Sequence, residues 1–401
     1  MKAPRLQLSS LSGKNDKWIK ERTLHFLFII LIFVSCQNEK SNIESLSKSE
    51  YSDFNIYIDS FMLVGNLTYC NDTIIGYDFL NNFFLRVNEQ SQSIDTLFYF
   101  PDSLLPDPKV VPNRDIKNLA NIPPIPVIEP DQIAIVSTNE MLVCIRNKIF
   151  RFNGKGDFTV LDFDDYLGDS LILYPKKFPL LVREEQFYCG FIKKNDISFN
   201  WNKSDSILDR PLFVIIDTTK KQQLEFGGFM NKTYKSRINR FIDTWCSATF
   251  YGDTLVYSFA QDSKCYFIPP DRSSYRVSIK SFCFSDDDLA KKYEDGDMKR
   301  SNQYDIYKTY SYDKIVYDSY RKRIIRIATL PVIGEIINPY TIKKPWTMIF
   351  YYPDNKRVLE RKFDQDKYAY GDIIPTPKGI IITNIYSDSQ LSDFFTLLKI
   401  N

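Results

Sequence analysis

From Thr73 to Ile400 the chain keeps returning to one unit: a short run of apolar, β-branched and aromatic residues, a polar turn, and a second such run. Breaks come too often for an amphipathic helix, whereas alternation with a period of two suits a half-buried pleated strand. Thr73 to Phe79, Asn81-Asn82 and Phe83 to Val87 form one predicted hairpin, continued by Ile94 to Phe100. A second runs from Met141 to Arg146 through Asn147-Lys148 to Ile149–Phe152, then through Asn153-Gly154-Lys155-Gly156 to a strand from Phe158 to Phe163. Asn-Gly marks a turn because both residues tolerate positive φ. Thr254 to Phe259 with Lys264 to Ile268, and Lys314 to Asp318 with Arg323 to Ala328, repeat the unit. Further strands are expected at 186–192, 211–217, 347–352, 356–363, 379–384 and 393–400.

Ile75-Gly76-Tyr77-Asp78, Val256-Tyr257-Ser258 and Val316-Tyr317-Asp318 share a loose register, as repeated four-stranded sheets would produce. The strands fall into six groups: 54–100, 131–163, 178–226, 246–283, 303–330 and 346–400. That grouping predicts an all-β chain, a β-propeller of six blades, with seven blades or tandem β-sandwiches as alternatives. A strand around Phe54 to Ser60 is expected to complete the sheet holding Phe394 to Ile400 and so remove the open edges. Two short helices are predicted as loop decorations, Arg114 to Ala120 and Asp286 to Asp295, the second capped by Ser285 with Asp288 three residues on.

The N-terminus carries a different signal. Basic residues up to Arg22 precede the apolar run Leu24 to Val34, broken only by His25, and Ser35-Cys36 follows. That is the order of a signal peptide. The run is about half of the roughly 20 residues a transmembrane helix needs. Phe33-Val34-Ser35-Cys36 resembles the lipobox of bacterial lipoproteins, with Phe33 where Leu is usual. The resemblance implies residues 1–35 as signal peptide, cleavage before Cys36 and lipid attachment at its sulfur. Residues 36–50 are polar and read as a tether, leaving 51–401 as the folded domain. Acyl chains contribute about 0.8 kcal/mol per buried methylene, enough for stable anchoring when two or three are present. By resemblance to the enteric sorting rule, Gln37 in place of Asp favours the outer membrane, on its periplasmic or surface face.

Several chemistries are excluded by composition. The only histidine, His25, lies in the export segment, so the mature chain has no Ser-His-Asp or Cys-His catalysis, no His-ligated metal and no His proton shuttle. Carboxylate, Tyr, Lys and Arg chemistry survive. Residues 1–35 hold six basic and two acidic residues, leaving 46 basic and 48 acidic in the rest, so nothing points to nucleic acid. No phosphate loop, cofactor motif or metal-binding pattern appears. Beyond Cys36, Cys70, Cys144, Cys189, Cys246, Cys265 and Cys283 are widely spaced. Their even number in an oxidising compartment permits disulfides, but the apolar runs around Cys144, Cys189 and Cys265 favour mostly free thiols.

Lipobox, polar tether, Gly-Asp-Thr-Leu-Val-Tyr-Ser-Phe at 252–259, Pro377-Lys378-Gly379-Ile380-Ile381-Ile382 and a close at Phe394-Phe395-Thr396-Leu397-Leu398-Lys399 together resemble the six-bladed β-propeller lipoproteins of Bacteroidota. The resemblance implies fold and location and carries no catalytic residues.

Three local sets have a functional and a plain reading. Asp286, Asp287, Asp288, Glu294, Asp295 and Asp297 could offer oxygens to calcium, but the calcium-loop pattern is missing and a solvated helix start is favoured. Asp162, Asp164, Asp165 and Asp169 could hold a carboxylate pair, although Asp is common where a strand meets a turn. Lys232, Lys235, Arg237 and Arg240 form a basic segment that could meet anionic glycan or headgroups, against plain surface charge. The expected function is a protein- or glycan-binding module held at the cell envelope by its lipid. The alternative is a carbohydrate-active enzyme using two carboxylates about 5 to 10 Å apart in a deep pocket.

Overall fold

The computed structural model describes residues 43–45, 51–54, 64–78, 81–88, 93–104, 132–175, 177–193, 210–220, 224–230, 246–289, 308–333, 344–384 and 395–399. The chain divides into two compact units, 1–44 and 45–401. Cys36, the segment Arg114–Ala120, the basic set from Lys232 to Arg240, and Glu294, Asp295 and Asp297 lie outside the described residues.

Six small antiparallel sheets follow one another in the second unit, each a meander whose successive strands pair. Sheet 1 comprises Val64–Cys70, Thr73–Asp78, Phe83–Asn88 and Ser93–Tyr99; sheet 2 comprises Gln132–Ser137, Glu140–Ile145, Lys148–Phe152 and Phe158–Asp162. In sheet 3 the first strand is split into Leu171–Leu173 and Leu181–Arg183, both paired with Gln186–Lys193; Phe213–Asp217 and Leu224–Gly227 follow. Sheet 4 holds Cys246–Tyr251, Thr254–Phe259, Lys264–Ile268 and Tyr275–Ser278. Sheet 5 runs Ser311–Asp318, Arg323–Thr329, Trp346–Tyr352 and Arg357–Phe363. Sheet 6 takes Tyr368–Thr376, Gly379–Asn384 and Phe395–Leu398, and its fourth strand is Tyr51–Phe54 from the start of the unit.

The ring is closed by packing as well as by pairing. One apolar cluster lies between each pair of successive sheets, and a sixth returns from sheet 6 to sheet 1, where Ile374, Ile381 and Leu397 meet Leu67, Ile74 and Leu85. Between sheets 1 and 2, Phe84, Phe98 and Phe152 pack ring against ring, with Phe98 and Phe152 stacked at 5.4 Å. A middle strand therefore has both faces covered. Arg323–Thr329 is buried at every position and reads Arg-Ile-Ile-Arg-Ile-Ala-Thr rather than as a clean alternation. This is a six-bladed β-propeller, and each sheet is a blade.

Three details refine the expectation. The segment 346–363 completes blade 5, because Ile324–Thr329 pairs with Trp346–Tyr351; a group spanning 346–400 would join two blades. Closure uses Tyr51–Phe54, which meets the expected strand at Phe54, while residues 55–60 lie outside the described residues. The Asn153–Gly156 turn puts its positive φ at Gly156, with Asn153 Oδ1 accepting from the N–H groups of Lys155 and Asp157 at 2.9 and 3.0 Å. Ser285 caps Asp286–Leu289 as expected, its Oγ accepting from Asp288 N at 3.3 Å while its own N–H donates to Asp288 Oδ2 at 2.9 Å.

Candidate functional site

The first strand of every blade lines the centre of the ring, and a cavity of 770 Å3 lies there with a wall drawn from all six blades. That volume falls within the roughly 300–1,000 Å3 of typical small-ligand sites. Regular alternation on these inner strands would point every second side chain into the channel. Four of the six depart from it. Pairing slips between Gly65 and Thr68 in blade 1, Ile135 and Ser137 in blade 2, Tyr312 and Ile315 in blade 5, and Tyr368 and Ile373 in blade 6. In blade 3 the inner strand is itself interrupted. Bulges of this kind re-aim side chains and gather at barrel rims and active sites.

In blade 5 the bulge sets Asp313 and Lys314 opposite the single residue Ile327. In blade 6 it covers 369–372 and includes Gly371 and Asp372. Lys314 Nζ donates to Gly371 O at 2.9 Å and stands 3.8 Å from Asp372 Oδ1. Asp372 also accepts from Leu67 N of blade 1, so one carboxylate links three blades. Ser247 Oγ of blade 4 accepts from Ile315 N at 2.9 Å, just past the bulge. Lys344, buried before the third strand of blade 5, donates to Ser311 Oγ at 3.3 Å.

Asp313 differs from Asp372. It lines the cavity and is exposed to it, and no hydrogen bond or ion pair within contact distance joins it to the described residues. Desolvation raises its carboxyl above the usual range, opposed by the charges of Lys314 and Lys344. Burial likewise raises Asp372, opposed by Lys314 and the Leu67 N–H.

Buried polar groups of blades 4 and 5 are densely hydrogen-bonded to one another. Arg326, fully buried, donates to the carbonyls of Ser263, Ile279, Phe259 and Asp262 of blade 4 and lies 3.5 Å from the centre of the Tyr312 ring. Glu360, also fully buried, accepts from Ser281 Oγ, Phe282 N and Thr347 Oγ1.

The acidic and basic sets singled out from sequence do not supply this site. Asp162 pairs with Lys148 at 2.9 Å and accepts from Asp164 N, which hold its carboxyl below the usual range. Asp164 accepts from Asn147 Nδ2 at 2.7 Å. Asp286, Asp287 and Asp288 form a helix start, and among the described residues no group of three or more His, Cys, Asp or Glu comes together to hold a metal. The six described cysteines are free; Cys144, Cys189 and Cys265 are fully buried.

Neither a family model nor a curated protein matches the sequence. Among solved structures, a member of the DUF4221 family from Bacteroides vulgatus matches with a TM-score of 0.56 at 13% identity, over 87% of this chain and 97% of that one. This chain shares its fold. A putative exported protein from Bacteroides fragilis matches with a TM-score of 0.47 at 13% identity, over 89% and 97%. The extracellular domain of a putative hybrid two component system from B. thetaiotaomicron gives 0.38 at 9% identity, over 86% and 34%.

Sequence reasoning does not single out Asp313 or Asp372. The available signal is a slip in period: Tyr312 and Ile315 are three apart where a regular strand has apolar residues two apart.

Proposed function

We propose that the protein is a binding module of the cell envelope, exported, lipid-anchored through Cys36 at the outer membrane, with its recognition site in the central channel. The observation that carries this reading is the convergence of bulged inner strands on a 770 Å3 cavity whose wall bears Asp313, Lys314 and Asp372. A protein or glycan partner would be met at the channel mouth, where loops and strand ends present side chains from several blades.

A hydrolase is the second reading, favoured by the presence of Asp313 and Asp372 in one cavity, both with raised carboxyls. Such raising suits a general acid. Purified lipidated protein tested against glycan and peptide panels separates the two. Binding without turnover supports the module; product formation abolished in both Asp313→Asn and Asp372→Asn supports the hydrolase. For the anchor, Cys36→Ala is expected to move the protein out of the membrane fraction, and unchanged membrane association would refute lipidation at Cys36.

A further inference from the structure

We infer that the central channel takes a neutral saccharide chain, laid against Tyr69, Tyr317 and Tyr320 at its mouth. This deepens the binding-module reading and rests on the channel being the recognition site. Two carboxylates line the cavity, Asp313 and Asp372, and two ammonium groups, Lys314 and Lys344; among the described residues no other acidic or basic side chain does. Lys314 and Asp372 face each other at 3.8 Å. Opposite charges in equal number leave no net field to draw an ion of either sign.

Neutral hydrogen-bonding groups are left uncommitted. Asn66, Thr68 and Thr249 line the cavity, and their side chains make no hydrogen bond to the described residues. Asn66 stands exposed in the slip between Gly65 and Thr68, at a φ of 53°, a left-handed conformation that Asn adopts more readily than most residues. An amide and two hydroxyls offer both donors and acceptors, as a polyhydroxylated ligand requires. Asp313, exposed in the same cavity, adds a further acceptor.

Aromatic rings supply the other half of the chemistry. Tyr69, at the end of the inner strand of blade 1, and Tyr320, in the turn after the inner strand of blade 5, meet edge to face at 6.2 Å and 77°. Tyr320 is 46% exposed although it lines the cavity. Tyr317 makes the same kind of contact with Tyr251 at 5.1 Å and 85°. Edge-to-face packing covers only one ring face in each pair, and the uncovered faces carry negative potential. The C–H groups on one side of a sugar ring meet such a face while its hydroxyls turn to the amide and hydroxyls beside it. An apolar peptide side chain would leave those polar groups unpaired.

The test is calorimetric titration of the full-length lipidated protein, in a detergent without a sugar headgroup, with neutral oligosaccharides of glucose, mannose and xylose, with oligogalacturonate, and with one neutral and one acidic peptide. The expected result is binding of a neutral oligosaccharide with an affinity unchanged between about 0.05 and 0.5 M salt. That affinity should fall roughly three- to tenfold in Tyr320→Ala and in Asn66→Gly, which keeps the left-handed backbone while removing the amide, and should be lost in Thr249→Trp, which fills the channel. No binding of any neutral oligosaccharide by folded protein, salt-sensitive binding, or an unchanged affinity in either Tyr320→Ala or Asn66→Gly overturns the inference. The underlying reading fails separately. If oligogalacturonate or a peptide binds instead and Thr249→Trp blocks it, the channel stands as the recognition site and the saccharide assignment falls; if a ligand binds Thr249→Trp as well as the wild type, the channel is not the site. A cooperative thermal transition in each variant excludes misfolding as the cause.

Discussion

Replacing Arg326 by Met tests how blades 4 and 5 are joined. Met keeps the unbranched apolar stem as far as the ε position and removes the guanidinium with all its donors. Four carbonyls lose a donor. Ser263 O still accepts from Ile279 N at 3.0 Å, and Phe259 O keeps a long contact from Asp262 N at 3.5 Å, so the carbonyls of Ile279 and Asp262 carry the main loss. Leaving a buried acceptor unsatisfied costs about 1–3 kcal/mol. The cation–π contact with Tyr312 adds up to about 2 kcal/mol. Against this, Met needs no desolvation of a guanidinium, which offsets several kcal/mol. A net destabilisation of about 3 kcal/mol is expected. With an unfolding entropy of about 2.1 cal/mol/K per residue, that corresponds to a fall in Tm of roughly 4 °C for a body of this size. Differential scanning calorimetry at neutral pH reads the shift, and Arg326→Lys should lie between the two. A Met variant as stable as the wild type would show that the guanidinium does not hold the junction together.

Asp313→Asn is expected to raise the Tm at neutral pH. A carboxyl raised in the folded state binds its proton more tightly there than when unfolded, so stability falls as pH climbs through that interval; the variant's gain should vanish below the unfolded carboxyl range, and a destabilised variant at neutral pH would contradict this. Alkylation of the native protein should leave Cys144, Cys189 and Cys265 unmodified, since all three are buried and burial pushes the Cys265 thiol up to about 11; rapid labelling, or a disulfide found by mass spectrometry, would count against it. Gly190→Ala should destabilise by about 1–3 kcal/mol in urea titration, because a Cβ there would meet the backbone of Tyr174 and Phe178; a neutral effect would mean the loop yields easily.

Much of the architecture is legible in the sequence because strand periodicity is a local property. The bounds of Thr254–Phe259 and Lys264–Ile268 follow from their alternation and the polar turn between them. The assignment of 346–363 to a blade does not, since the segment 331–345 gives no local sign of whether the next strand continues a sheet or begins another. The site is less legible still. Alternation places the inner strand of blade 5 from Lys314 onward, yet it begins at Ser311, and the residues in between include Asp313, which the bulge turns into the channel.

Composition and local pattern by themselves determined the all-β class, the turn positions, the cap at Ser285 and the absence of histidine from the body, since each depends only on neighbours along the chain. Tertiary structure alone decided that Tyr51–Phe54 pairs with Phe395–Leu398, that Arg326 reaches four carbonyls of the preceding blade, and that Asp313 and Asp372 share a cavity. Those contacts join residues tens to hundreds of positions apart, and their energies arise only when the closed ring has removed water from between the blades.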